Sequence, residues 1–193
     1  GLIHDARGDL ENALAWYERS VALCEQVGDK AGLATTYNNI GMIHDARGDL
    51  ENALAWYEID RKLSEELGDK AGLATTYNNI AAIHYARGEL DAALGWYERS
   101  VALKEQVGDK AGLATTLHNM GYIALAKRDW AGALDLFTRS RDLYAGIGLE
   151  KDVREEEEMM REVKKRMEKG QAEVGGKGGV MEWVRGLFGR SKT

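Results

Sequence analysis

GDKAGLATTYNNI, residues 28–40, returns unchanged at 68–80, and its first nine residues open a third copy at 108–116. IHDARGDLENALAWYE at 3–18 recurs at 43–58, and IHYARGELDAALGWYE stands at 83–98. The spacing is 40 residues each time, and residues 1–40 agree with 41–80 at 32 of 40 positions. Self-similarity at a fixed period of this size is the mark of a repeat architecture, in which one supersecondary unit is stacked on copies of itself.

Each period predicts two helices, one from about Lys30 to Arg47 and one from about Asp49 to Leu67. Leu33, Tyr37, Ile40 and His44 fall three and four apart in the first, and Leu50, Ala53, Leu54 and Tyr57 in the second, giving each an apolar face. Gly48-Asp49 and Gly68-Asp69 punctuate them. Glycine accepts the left-handed backbone that ends a helix, and aspartate accepts a bond from the free amides of the next. So short a connection forces an antiparallel hairpin. A lone hairpin leaves a face bare, so stacking on the neighbouring copies must complete the core.

With these motifs in place the chain resembles the tetratricopeptide repeat family. Tyr37, Ile40, Gly41, His44, Ala53 and Tyr57 look like its signature of aromatic, Leu-Gly, aromatic, and later Ala and aromatic. The 40-residue length is similar to the variant in kinesin light chain and in the spindle-orientation adaptor LGN. The resemblance covers about residues 1–148 and implies an all-α fold, a right-handed α-solenoid of antiparallel helix pairs with a C-terminal capping helix. Seven array helices and the cap are expected. The family's turn proline is replaced by Glu25, Glu65 and Glu105, consistent with a longer second helix. Copy two carries Asp60-Arg61 where copies one and three have Ser-Val, which predicts an irregular, less well packed turn. The fourth copy diverges, with Leu117, Ala124 and Phe137 at signature positions.

The expected organisation is a repeat array over 1–148, made of a half-truncated first repeat at 1–27 and full repeats at 28–67, 68–107 and 108–148. Residues 1–7 read as the end of one helix, followed by a second helix to about Val27. A charged helix at 149–169, with Val153, Met160, Val163 and Met167 as a narrow apolar stripe, resembles the family's capping helix. Glutamates 155–158 read as its solvated face. A flexible glycine-rich linker at 170–179 leads to a short amphipathic helix at 180–190. The start at Gly1, in mid-pattern and without Met, suggests that a native upstream segment has been removed.

Composition bounds the function. Of 193 residues 44% are hydrophobic, enough for a core, and Pro is absent while Gly numbers 23. The lone Cys24 forms no internal disulfide framework and fits a reducing, cytoplasmic setting. No apolar run approaches the roughly 20 residues of a membrane span. The net charge of −6 is carried by the array, with no basic stripe for nucleic acid.

His4, His44 and His84 invite a metal reading, but one repeat position on neighbouring copies puts them roughly 10 Å apart, too far to share an ion. Packing is the better account, as it is for Cys24. No Ser–His–Asp grouping, phosphate loop or paired-carboxylate motif stands out, so neither catalysis nor a cofactor is expected. The tetratricopeptide resemblance implies a concave groove lined by the first helices, into which a protein or peptide partner lies. Carried over residue by residue, that groove holds Thr35, Asn38, Asn39, Met42 and Asp45, then Thr75, Asn78, Asn79 and Tyr85, then His118, Asn119 and Tyr122. Asn39, Asn79 and Asn119 form a ladder whose amides match the donors and acceptors of an extended peptide. The alternative is that these amides bond neighbouring helices or water. The Lys and Arg of the family's chaperone-tail binders are replaced by Thr, Asn or His, so that activity is not expected. Trp16, Trp56 and Trp96 are expected to pack on the adjacent repeat.

The leading function is therefore an adaptor or sensor scaffold within a longer protein. One alternative is a self-assembling array, pairing through the incomplete first copy at Leu10, Leu14, Trp16 and Tyr17. The other is a membrane contact through Trp183, Leu187 and Phe188, against which docking of that helix on the array is the simpler reading.

Overall fold

The computed structural model describes the backbone of residues 2–170 and the side chains of 9–168. The expected linker beyond Gly170, the helix at 180–190 with Trp183, Leu187 and Phe188, and the side chain of His4 lie outside the described residues. Among the described residues eight helices follow one another: α1 (Leu2–Val27), α2 (Lys30–Ala46), α3 (Leu50–Leu67), α4 (Lys70–Ala86), α5 (Leu90–Val107), α6 (Lys110–Ala126), α7 (Trp130–Gly146) and α8 (Glu150–Gly170). No strand occurs among the described residues, so the chain is an all-α repeat fold.

Short Gly-Asp signals stop and restart the helices. At the end of α3, Gly68 turns left-handed at φ 68° and its amide donates to the Glu65 carbonyl at 3.1 Å. The Asp69 amide donates to the Ser64 carbonyl at 3.0 Å, which satisfies the otherwise free carbonyls of the last turn. The Asp69 carboxylate then accepts the Gly72 amide at 2.9 Å and caps α4. His44 and His84 reinforce the turns inside the pairs: the Nδ1 of His44 lies 3.1 Å from Asp49 Oδ2, and His84 meets Glu89 in the same way. Their role is to tie the end of one helix to the start of the next.

Two compact units result, Gly1–Val107 and Gly108–Thr193. In the first, α1 to α5 pack consecutively, and α2 also touches α4. Ala53 and Tyr57 from α3 meet Ile80 and Ile83 from α4 in its core, with Leu50, Leu54 and Trp96 packed against them. Gly41 permits close packing of α2 on α3: a methyl group added there would stand 2.6 Å from a ring carbon of Tyr57. In the second unit α6 packs on α7 and α7 on α8, around fully buried Ile123, Leu125, Phe137 and Val163.

Two expectations about the ends are corrected. Residues 1–7 do not form a separate helix ending at Gly8, because α1 runs unbroken from Leu2 to Val27. A reversal at Gly8 would give up several intrahelical bonds in return for packing a stub of under two turns, which is too short to nucleate or hold a helix of its own. The glutamate run of α8 is not wholly a solvated face either. Glu156 is buried at 1% exposure, beside the apolar stripe that Met159, Met160 and Val163 bury.

Candidate functional site

The first unit contains an open, polar pocket of about 190 Å³. Ala34, Thr35, Asn38 and Asn39 of α2 form one wall, Asp69, Gly72 and Thr75 at the head of α4 the other, and Asp60 and Ser64 of α3 the floor. Asp60 organises it. Its carboxylate accepts from Asn38 Nδ2 at 3.0 Å, from Ser64 Oγ at 2.9 Å and from the Thr76 hydroxyl. At 3% exposure it is buried, yet every donor is neutral and no ion pair reaches it. Its charge acts on its surroundings. Burial first, then Asp45 and Asp60, push the hydroxyl pKa of buried Tyr57 far above the ordinary tyrosine value.

The expected groove residues divide between structural and open roles. Asn38 bonds Asp60, and Asn79 Nδ2 donates to Asn38 Oδ1 at 3.4 Å, linking α4 to α2. Asn39 is half-buried, lines the pocket and makes no hydrogen bond among the described residues. Thr35 and Thr75 return their hydroxyls to the Ala31 and Ala71 carbonyls of their own helices, each at 3.2 Å. Asp45 is exposed, Met42 is 52% exposed, and Asn78 and Tyr85 are half-buried.

In the second unit the same positions are used differently. His118 Nδ1 sits 2.7 Å from Glu156 Oε1. Ser140 Oγ donates to that oxygen at 2.8 Å and also reaches the Ala114 carbonyl at 2.9 Å. Tyr122 is buried at 5% exposure and does not face a groove: it packs edge-on to His118 at 4.8 Å and to Phe137 at 5.8 Å. Asn119 is half-buried. A serine, a histidine and a glutamate thus meet, but not as a nucleophile and its base. The hydroxyl is fully buried and donates to the carboxylate, not to the imidazole.

Three side-chain expectations are revised. Asp60-Arg61 makes no irregular turn, since α3 runs through it, Asp60 is fully hydrogen-bonded and Arg61 pairs with Glu58 at 2.9 Å and Glu65 at 2.7 Å. Trp56 and Trp96 each stack on a tyrosine of their own helix pair, Trp56 5.5 Å from Tyr37 and Trp96 5.3 Å from Tyr77, and Trp96 also packs against the core that Ala53 and Tyr57 of the preceding pair share. Trp16 is 67% exposed, with the guanidinium of Arg19 5.1 Å from its ring. Glu156 escaped the reading of the sequence although a signal for it exists. Thr36, Thr76 and Thr116 recur every 40 residues, and the next step in that series is Glu156.

The sequence pattern of the family described as Tetratricopeptide repeat matches residues 1–58 and 72–145. No curated protein matches the chain. Among solved structures, BtubC (BKLC) from P. vanneervenii is 17% identical with a TM-score of 0.66, covering 89% of this chain and 78% of its own. A Podosopora anserina protein described as a kinesin light chain candidate with nearly identical TPR-like repeats is 13% identical with a TM-score of 0.66, covering 97% and 90%. MamA is 16% identical with a TM-score of 0.53, covering 86% and 94%. At such identities the likeness is one of fold, and it agrees with the match along the sequence. This chain belongs to the tetratricopeptide repeat family.

Proposed function

We propose that the chain is a non-catalytic, cytoplasmic protein-interaction scaffold that receives an extended stretch of a partner polypeptide in the cleft between its first helices. The observation that carries this reading is the α2–α4 pocket, whose Asn39 amide lines an open space with no hydrogen-bond partner among the described residues. A primary amide offers a donor and an acceptor together, the pattern a peptide backbone presents. Family membership supports the scaffold reading, and the buried, misdirected Ser140 hydroxyl argues against hydrolysis. No helix among the described residues is long and apolar enough to cross a membrane.

Asn39→Ala in the full chain is the test. It should leave the circular dichroism and stability within about 0.5 kcal/mol, as for a surface change that breaks no contact. Binding of peptides selected on a random-sequence array should weaken about tenfold. Asn79→Ala, which breaks the bond to Asn38, should instead cost about 1 kcal/mol of stability. Unaltered peptide binding by the Asn39 variant would remove the groove reading.

A second reading, pairing of two copies, finds support in α1, where Trp16 is 67%, Leu23 61% and Val27 77% exposed along one helical stripe. Light scattering over a concentration series checks it: a mass that does not rise with concentration would exclude that pairing.

A further inference from the structure

Asp60 places a buried carboxylate where the other copies carry a neutral hydroxyl. Copies one, three and four hold Ser20, Ser100 and Ser140 at this position, and their hydroxyls serve local contacts. Ser20 lies 3.3 Å from Thr36 Oγ1, and Ser100 and Ser140 donate to the Ala74 and Ala114 carbonyls at 2.6 and 2.9 Å. A carboxylate cannot make such a donation, so Asp60 draws Asn38, Ser64 and Thr76 around itself as an acceptor. A serine contact has become a buried anion on the floor of a cavity.

Among the described residues no cationic side chain pairs with it. The lining residues include two carboxylates, Asp60 and Asp69, and no Lys, Arg or His. The nearby basic side chains are engaged elsewhere, Arg61 with Glu58 and Glu65, and Lys30 with Glu66 at 3.3 Å. Residues 28–107 hold eight Lys and Arg against thirteen Asp and Glu, a balance of −5 that favours cations throughout this unit. A buried charge without a countercharge is costly, and a ligand that supplies the countercharge recovers that cost as affinity.

We infer that this pocket takes the basic side chain of a lysine or arginine in the bound peptide, with Asp60 setting the preference. The inference rests on the groove reading above and adds the chemical class of the ligand. The volume of about 190 Å³ is below that of a small-molecule site but admits the end of one long side chain. Asp69, whose Oδ1 accepts the Gly72 amide, adds a second carboxylate to the lining. Asn39 and the two threonine hydroxyls, Thr35 and Thr75, provide further oxygens to an ammonium or guanidinium. An acidic side chain would meet two carboxylates and no positive group.

The full chain, its Asp60→Ser variant and its Asn39→Ala variant are each bound to an array of random twelve-residue peptides. Selected peptides are then remade with the common basic residue changed to norleucine. Serine is the residue of the other copies, so Asp60→Ser retains the fold. The wild type should select peptides with Lys or Arg at one fixed position and lose about tenfold in affinity with norleucine, a loss typical of a charge-assisted hydrogen bond. Asp60→Ser should bind the basic and norleucine peptides equally. Peptides bound without a basic preference, or a preference that survives in Asp60→Ser, would overturn this inference while leaving the groove reading intact. If no peptide binds, or if Asn39→Ala binds as the wild type does, the groove reading fails and this inference with it.

Discussion

Asp60 and Glu156 occupy opposite sides of the same contact in the two units. A residue of the second helix meets one of the first helix that follows, 16 positions on. In the first unit the pair is Asp60 with Thr76, and in the second it is Ser140 with Glu156. Each pair joins a carboxylate to a hydroxyl, but the carboxylate has changed sides. The surroundings then diverge. Glu156 Oε1 meets the imidazole of His118 from α6, which Tyr122 and Phe137 flank, and accepts from Ser140, whereas Oε2 has no hydrogen bond among the described residues. Asp60 receives only neutral donors and lies on the floor of an open pocket. One contact between repeats thus ties α8 to α7 in the second unit and sets a carboxylate beside an open pocket in the first.

The largest effect should come from removing the imidazole. His118→Ala leaves Glu156, at 1% exposure, without the imidazole at its Oε1, and among the described residues Glu156 Oε2 already lacks any hydrogen bond. Leaving a buried carboxylate short of a hydrogen-bond partner costs about 2–3 kcal/mol. The corresponding change in the first unit, Asn38→Ala, deletes one neutral donor of three and should cost about 1–2 kcal/mol. Chemical denaturation measures both, and amide exchange in α8 localises the first. His118→Asn, which restores the residue type of Asn38 and Asn78, should fall between them. Equal losses in His118→Ala and Asn38→Ala would show that the two carboxylates are held alike.

The next contrast is read by alkali. Tyr57 in α3 and Phe137 in α7 occupy the same repeat position, and both are essentially fully buried. Burial, with Asp45 and Asp60 adding to it, raises the Tyr57 pKa above its unfolded value of about 10. A raised folded-state pKa means that the phenol contributes its full stability below about pH 10 and loses it as pH climbs above that value. At pH 11 the loss from this group is about 1.4 kcal/mol, one pH unit beyond the unfolded pKa. Tyr57→Phe should therefore change stability little at pH 8 and resist denaturation better than wild type at pH 11. Tyr144, also raised chiefly by burial, remains as the alkaline liability of the second unit. An unchanged difference between pH 8 and pH 11 in Tyr57→Phe would contradict the account.

These contrasts also mark what could be read from the chain alone. Leu50, Ala53, Leu54 and Tyr57 declare a buried helical face by spacing, and Gly68-Asp69 declares a stop and a start by backbone chemistry. Both are local rules, and both reappear in the structure. Asp60 was visible only as an irregularity, because its meaning depends on Asn38 and Thr76, which come from two other helices. Tyr122 shared a periodicity with groove residues, but α8 and His118 enclose it, and no spacing within α6 records that. The break expected at Gly8 failed for a related reason. Glycine permits a turn, and only a partner helix long enough to pack makes the turn favourable.

The smallest effect concerns the turn inside the helix pairs. Gly48 and Gly88 hold left-handed backbone at φ 75° and 78° in the first unit. The residue 40 positions on is Arg128, which holds φ 63° and is the only non-glycine with positive φ among the described residues. Its Cβ crowds the following carbonyl, a strain of about 1–2 kcal/mol for an L residue in this region. The turn still forms because its hydrogen bonds are intact: the Arg128 amide donates to Leu125 at 3.0 Å and the Asp129 amide to Ala124 at 2.8 Å. Arg128→Gly relieves the strain but frees the unfolded chain, which takes back a part of the gain. The net expectation is a stabilisation of about 0.5–1 kcal/mol, with slower amide exchange at the α6–α7 turn. Gly88→Arg tests the reverse in the first unit and should cost about the same. If Arg128→Gly destabilises the chain instead, the arginine side chain holds this turn more strongly than its backbone opposes it.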